Sequence, residues 1–151
     1  MLLIPTELRQ SPIHGVGVFY TGKEPIPAGN LIWFFQEGFD QRWAEEEILN
    51  FPEQAQIHCY YNVWRSKVTG LYLLCADNLK YVNHAYTPNT EFCAVPRLKE
   101  PACFSRVVIG LGDEIVQNYQ EFDSVGESEL WEKLEIELGI QRSDFDKEVY
   151  G

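Results

Sequence analysis

Asn83 and His84 stand side by side in the run Asn78-Leu79-Lys80-Tyr81-Val82-Asn83-His84-Ala85-Tyr86-Thr87-Pro88-Asn89, a polar turn in an otherwise apolar neighbourhood. An Asn amide beside an imidazole offers donors and acceptors together, the equipment for reading a heteroaromatic edge such as adenine. The same residues also suit a hydrogen-bonded loop in which Asn83 caps backbone groups. A second segment, Ser11-Pro12-Ile13-His14-Gly15-Val16-Gly17-Val18-Phe19, sets two glycines before a strand, where a ligand can approach the backbone closely. Tyr20 stands where a dinucleotide fingerprint needs its third glycine and no helix signal follows, so a Rossmann site is a poor reading and a plain turn is the competing one. A third segment, Gly112-Asp113-Glu114-Ile115-Val116-Gln117-Asn118-Tyr119, is an acidic turn entering a short strand that delivers a tyrosine at its end. Taken singly, such a tyrosine serves a core as readily as a reaction.

Their order adds information. Ser-x-x-His-Gly-x-Gly-x-Phe at 11–19, Asn-His-x-x-x-Pro-Asn at 83–89 and Gly-Asp-Glu-Ile-x-x-x-Tyr at 112–119 together resemble the SET domain. That is the fold of S-adenosylmethionine-dependent protein lysine methyltransferases, and the resemblance covers about residues 8–122. It implies a β-rich α+β fold of several short-stranded sheets, with a pseudoknot-like threaded C-terminal segment and a C-terminal helix. It further implies that backbone at Val16, Gly17 and Val18 lines the methyl donor, that Asn83 and His84 contact its adenine side, and that Tyr119 is the active-site tyrosine. Two departures stand out: Ala85-Tyr86 replaces the common Ser-Cys after Asn-His, and Val116-Gln117-Asn118 replaces a Thr-(Phe/Tyr)-Asp run. The zinc-binding cysteine clusters that flank the domain in many histone-directed members are missing.

The implied chemistry is in-line displacement of a methyl group from a sulfonium by a neutral amine, without a metal. A free lysine has a pKa of ~10.4. An apolar channel and a neighbouring positive charge both disfavour its ammonium form. Aromatic residues suited to wall such a channel are plentiful, and Tyr72, Tyr81 and Phe122 are the ones expected to do so.

The elements that must position these groups are short. Runs at 17–20, 31–35, 71–74, 91–95, 103–109 and 114–118 are rich in β-branched or aromatic residues between Gly, Pro, Asn or Asp and predict strands. A helix is predicted over 40–50, with Asp40 as its N-cap and Phe51-Pro52 ending it. A second is predicted over 127–138, where Leu130, Leu134 and Leu138 share one face and Gly139 suits the stop. The expected organisation is a SET domain over 1–122 and an acidic helical extension over 123–151 packing on it. In that extension Trp131 is placed to stack on the donor's adenine, while Glu127, Glu129, Glu132 and Glu135 rim the mouth.

The chain of 151 residues carries 12 Lys and Arg against 23 Asp and Glu, a net charge of −11. Phosphate affinity rests on clustered Lys and Arg, so nucleic acid is not expected as a direct partner. A basic protein or peptide is, through complementary fields. Residues 120–151 hold ten acidic and three basic side chains, most of the imbalance. Cys59, Cys75, Cys93 and Cys103 form no C-x-x-C pair, so no structural zinc site is expected and the thiols are read as reduced. No run of about 18 apolar residues occurs, and the start lacks a basic leader, so no membrane span and an intracellular location are expected, cytoplasmic first and nuclear for a eukaryotic source. The aromatic fraction of 14% leaves room for a homodimer face. The alternative to an enzyme is an inactive SET-like module that binds a basic peptide or protein.

Overall fold

Short strands separated by glycine and proline turns build small sheets, each too narrow to bury a core alone. In the computed structural model, which describes residues 1–150, the strands are Thr6–Gln10 (β1), Val16–Tyr20 (β2), Leu31–Trp33 (β3) and Gln41–Trp43 (β4). Two helices follow, Glu45–Leu49 (α1) and Glu53–Asn62 (α2), then strands Trp64–Arg65 (β5), Tyr72–Leu74 (β6), Asn83–His84 (β7) and Thr90–Cys93 (β8). Ala102–Ser105 (β9) and Glu114–Gln117 (β10) complete the strands, and Tyr119–Phe122 (α3), Leu130–Leu138 (α4) and Asp144–Tyr150 (α5) end the described chain. They assemble into three sheets, ordered β1-β2-β10-β7, β3-β9-β8 and β4-β6-β5.

β2 is central to the first sheet, antiparallel to β1 on one side and to β10 on the other. Its alternation buries Val18 and Tyr20. The turn into β10 needs Gly112, whose φ is 75°, and is tightened by Gly110 N–H donating to the Asp113 carboxylate at 2.7 Å. One core cluster gathers Val18, Trp33, Trp64, Leu73, Ile115 and Phe122 between the sheets. A second lies among the helices and contains Ile48, Cys59, Tyr60, Tyr72, Leu130 and Leu134. α4 enters it through the expected face: Leu130 and Leu134 are fully buried, Leu138 packs at the edge, and Gly139 closes the helix in the left-handed region at φ 66°.

The helix expected over 40–50 divides. Gln41–Trp43 pairs with Tyr72–Leu74, and only Glu45–Leu49 is helical. Asp40 is not a cap: its carboxylate turns inward, 3% exposed, and accepts from the backbone N–H of Gln36 and Ala76 at 3.0 Å each. The N–H of Ala44 is instead met by the Glu47 side chain at 2.8 Å. Pro52, expected only to stop a helix, also starts α2, because its fixed φ and missing N–H suit a first turn. α2 escapes periodicity because its buried stripe includes Gln56, whose amide donates to Leu49 O at 2.9 Å. Two peripheral helices were expected, and five helices occur among the described residues.

The α4 packing gives a first prediction. Leu134→Ala should destabilise the protein by about 2–5 kcal/mol. Ile136→Ala, at a side chain 78% exposed on the same helix, should stay within about 0.5 kcal/mol of wild type. Urea titration of both variants checks this, and equal effects would mean that the helix presents another face.

Candidate active site

The three sequence segments meet at β10. Its outer edge takes β7 in parallel, Val116 opposite Asn83 and Gln117 opposite His84, with Ala85 N–H donating to Gln117 O at 2.8 Å. Two residues are too few to hold a ladder, and the side chain of Asn89 supplies the missing rung. Its Nδ2 donates to Glu114 O at 2.8 Å and its Oδ1 accepts from Val116 N–H at 2.9 Å. Thr90 adds a hydroxyl bond to Val116 O at 2.8 Å.

Beyond β10, Asn118 caps α3 by accepting from Gln120 N–H at 3.1 Å, which sets Tyr119 at the junction of strand and helix. The backbone N–H of Tyr119 donates to His84 Nδ1 at 3.1 Å and its hydroxyl donates to Val82 O at 2.5 Å. The half-buried Tyr119 ring lies 5.2 Å from the His84 ring, edge on. Burial raises the Tyr119 phenol above its ordinary pKa and lowers that of His84, so the imidazole stays neutral with Nδ1 as an acceptor. Asn83 Nδ2 faces three acceptors: His14 O at 3.0 Å, Val16 O at 3.2 Å and Glu114 Oε1 at 2.9 Å.

A cavity of about 360 Å³ opens beside these groups. Tyr119, Trp64, Phe92 and Phe122 wall it, with Phe92 and Phe122 stacked at 4.0 Å and Trp64 edge on to Phe122 at 5.0 Å. Trp131 and Tyr150 bring the C-terminal segment to it, rings 4.9 Å apart, and Tyr150 also lies nearly parallel to Tyr119 at 6.1 Å. The Trp131 side chain is 6% exposed and its buried Nε1 has no hydrogen-bond partner. Asp123, buried against this cavity, accepts from the N–H groups of Arg65 and Val125 at 2.9 and 2.8 Å and from the Tyr150 hydroxyl at 2.7 Å.

Of the residues singled out in the sequence, Asn83, Tyr119, Phe122 and Trp131 line this cavity. Val16, Gly17, Val18 and His84 are not in its wall: Val18 is fully buried in the core, Val16 is half exposed with its O held by Asn83, and His84 Nδ1 accepts from Tyr119 N–H. Tyr72, expected in the channel, is buried in the helical cluster with its hydroxyl on Glu45 at 3.1 Å. Tyr81 is turned outward, 39% exposed beneath the Lys80 ammonium, because the Asn78–Tyr81 turn points only Leu79 inward. Glu135, expected on the rim, accepts from Tyr60 Oη at 2.9 Å and from Arg142 Nε at 2.8 Å. Gln117, Asp123 and Tyr150 were not foreseen at the cavity. Gln117 alternates out of a strand as any core residue does, and Tyr150 reaches Asp123 only through the return of α5.

The sequence matches no protein-family model and no curated protein. Among solved structures, a chain of a humanized mutant of the Chaetomium thermophilum Polycomb Repressive Complex 2, bound to the inhibitor GSK126, superposes with a TM-score of 0.57 at 17% identity. The likeness covers 82% of this chain and 16% of that one. A Plasmodium falciparum protein provisionally assigned as a histone methyltransferase is similar at a TM-score of 0.49 and 19% identity, over 76% of this chain and 91% of that one. The fold is SET-like. The chain spans only a small part of the Polycomb neighbour, and at these identities the likeness is one of fold.

Asp123 makes the site sensitive to pH. Burial, opposed by its hydrogen bonds, raises its pKa from about 3.8 to about 6. The folded state thus favours the protonated acid, and the stability this contributes is complete below about pH 4 and lost as pH rises through about 6. Asp123→Asn keeps an oxygen for the Arg65 and Val125 N–H groups and removes the titration. Its stability relative to wild type should improve between about pH 4 and pH 7 by on the order of 3 kcal/mol. Denaturant titrations across that range read the difference, and a difference constant with pH would remove Asp123 as the cause.

Proposed function

We propose that the protein transfers a methyl group from S-adenosylmethionine to the side-chain amine of lysine in a basic protein or peptide. The observation carrying this reading is the convergence of three separate segments on one aromatic cavity, with Tyr119 bound by its N–H to His84 and by its hydroxyl to Val82.

The cavity fits such a donor. Its volume of about 360 Å³ falls within the ~300–1,000 Å³ usual for small-molecule sites. His14, Asn83 and Trp131, all in its wall, would flank the donor. Because Asn83 Nδ2 is already committed within the protein, contact there falls to its backbone and Oδ1. The donor supplies an electrophilic methyl group on a cationic sulfonium. The protein supplies dryness and aim. Trp64, Phe92 and Phe122 exclude water, which disfavours the ammonium form of an entering amine. The Tyr119 hydroxyl donates its hydrogen bond to Val82 O, leaving its oxygen to accept from that amine and fix its approach.

The test uses labelled S-adenosylmethionine and a panel of basic proteins. Donor at about 100 times its Kd should stabilise both wild type and Tyr119→Phe by ~2.7 kcal/mol. Turnover should fall by about a hundredfold or more in Tyr119→Phe, because loss of the hydroxyl misplaces the amine. Peptide binding without label transfer in wild type would favour the inactive binding module. No stabilisation by donor would remove the cofactor assignment.

A further inference from the structure

The geometry points to Glu114 as a positioning residue that shapes the methyl-donor face of the cavity by holding the Ser11–Gly17 loop against Asn83. The inference rests on the donor reading above and adds a residue to it.

Three polar contacts converge on this carboxylate, from two segments distant in sequence. The Ser11 hydroxyl donates to Oε1 at 2.8 Å and reaches Oε2 at 3.0 Å. Asn83 Nδ2 donates to Oε1 at 2.9 Å. Gly17 leaves the room: a Cβ built there would fall 2.1 Å from Oε1, so the carboxylate lies directly over that glycine. The position is set by β10, where Glu114 pairs with Phe19 across the ladder and its side chain folds back over β2.

The consequence reaches the cavity through two relays. Ser11 Oγ accepts from the N–H of Ile13 at 2.9 Å, which closes the loop that carries His14 to the cavity wall. Asn83, held at one side by Glu114, grips the carbonyls of His14 and Val16 with the same amide nitrogen. Without the carboxylate, Ser11 and Asn83 lose their shared partner, a space opens above Gly17, and the loop is free to shift. Neither Glu114 nor Ser11 lines the cavity. Their effect on a ligand is therefore carried by the loop and by Asn83.

The experiment measures the Kd of S-adenosylmethionine by calorimetry, well below the melting temperature, for wild type, Glu114→Ala and Glu114→Gln. Losing a charged hydrogen-bond partner from the clasp should weaken donor binding about tenfold or more in Glu114→Ala. Glu114→Gln keeps an oxygen for Asn83 and a donor for Ser11 Oγ, and should bind within about threefold of wild type. A purely structural role lowers the melting temperature of Glu114→Ala and leaves Kd at the wild-type value, which overturns the proposal while leaving the donor reading in place. Equal weakening in the Gln and Ala variants also overturns it, in favour of direct attraction between the charge and a cationic donor. Wild type that binds no donor removes the donor reading and this role together. If Glu114→Ala does not fold, Ser11→Ala is read instead: weaker donor binding supports the clasp, and wild-type affinity overturns it.

Discussion

The rest of the site depends on a parallel pairing two residues long, Asn83-His84 against Val116-Gln117. It is the place where a segment from the middle of the chain is inserted beside a strand from near its end. So short a ladder does not hold itself. It is held because side chains stand in for missing backbone: Asn89 supplies both halves of a rung to β10, Thr90 adds a third bond, and Tyr119 N–H reaches over to the His84 ring. Asn89 and Tyr119 come from two of the three sequence segments and Thr90 directly follows one of them, so the residues that secure the pairing also belong to the site's surroundings.

This explains which parts of the site were legible in sequence. A polar pair such as Asn83-His84 in an apolar stretch is conspicuous because burial without partners is unfavourable, and its partners prove to be backbone groups of the other two segments. The α4 face was readable for a different reason: Leu130, Leu134 and Leu138 repeat at helical spacing and Gly139 adopts a conformation that glycine favours. α2 and β4 were not readable. A buried Gln56 breaks the apolar stripe of the one, and the Gln41-Arg42-Trp43 run of the other becomes a strand only by pairing with Tyr72–Leu74. Tyr72 and Tyr81 show the same limit for function, since aromatic composition says that walls exist but not which ring faces which cavity.

The C-terminal segment links charge to architecture. Its acidic surplus is not simply a solvated face: Glu135 holds Tyr60 and Arg142, Asp123 anchors the turn after α3 and receives the Tyr150 hydroxyl, and Lys133 bridges Glu45 of α1. These bonds fix Trp131 and Tyr150 at the cavity. Aromatic rings are well suited to that task, because they cover large apolar area while losing few rotatable bonds.

A division of labour follows from the hydrogen bonds themselves. The polar atoms that made the motifs visible are mostly spent on one another: the Asn83 amide nitrogen on two carbonyls and a carboxylate, His84 Nδ1 on Tyr119 N–H, and the Tyr119 proton on Val82 O. A buried group that has found its partner inside the protein has little left to offer a ligand. What lines the cavity beside them is largely aromatic, Trp64, Phe92, Phe122, Trp131 and Tyr150, with the charged side chains of Lys80, Asp123, Arg142 and Asp146 also in its wall. That wall joins large apolar area to charge of both signs. On the proposed reading, the aromatic part of that wall would exclude water and direct the approach of a nucleophile that needs only to be neutral and aligned.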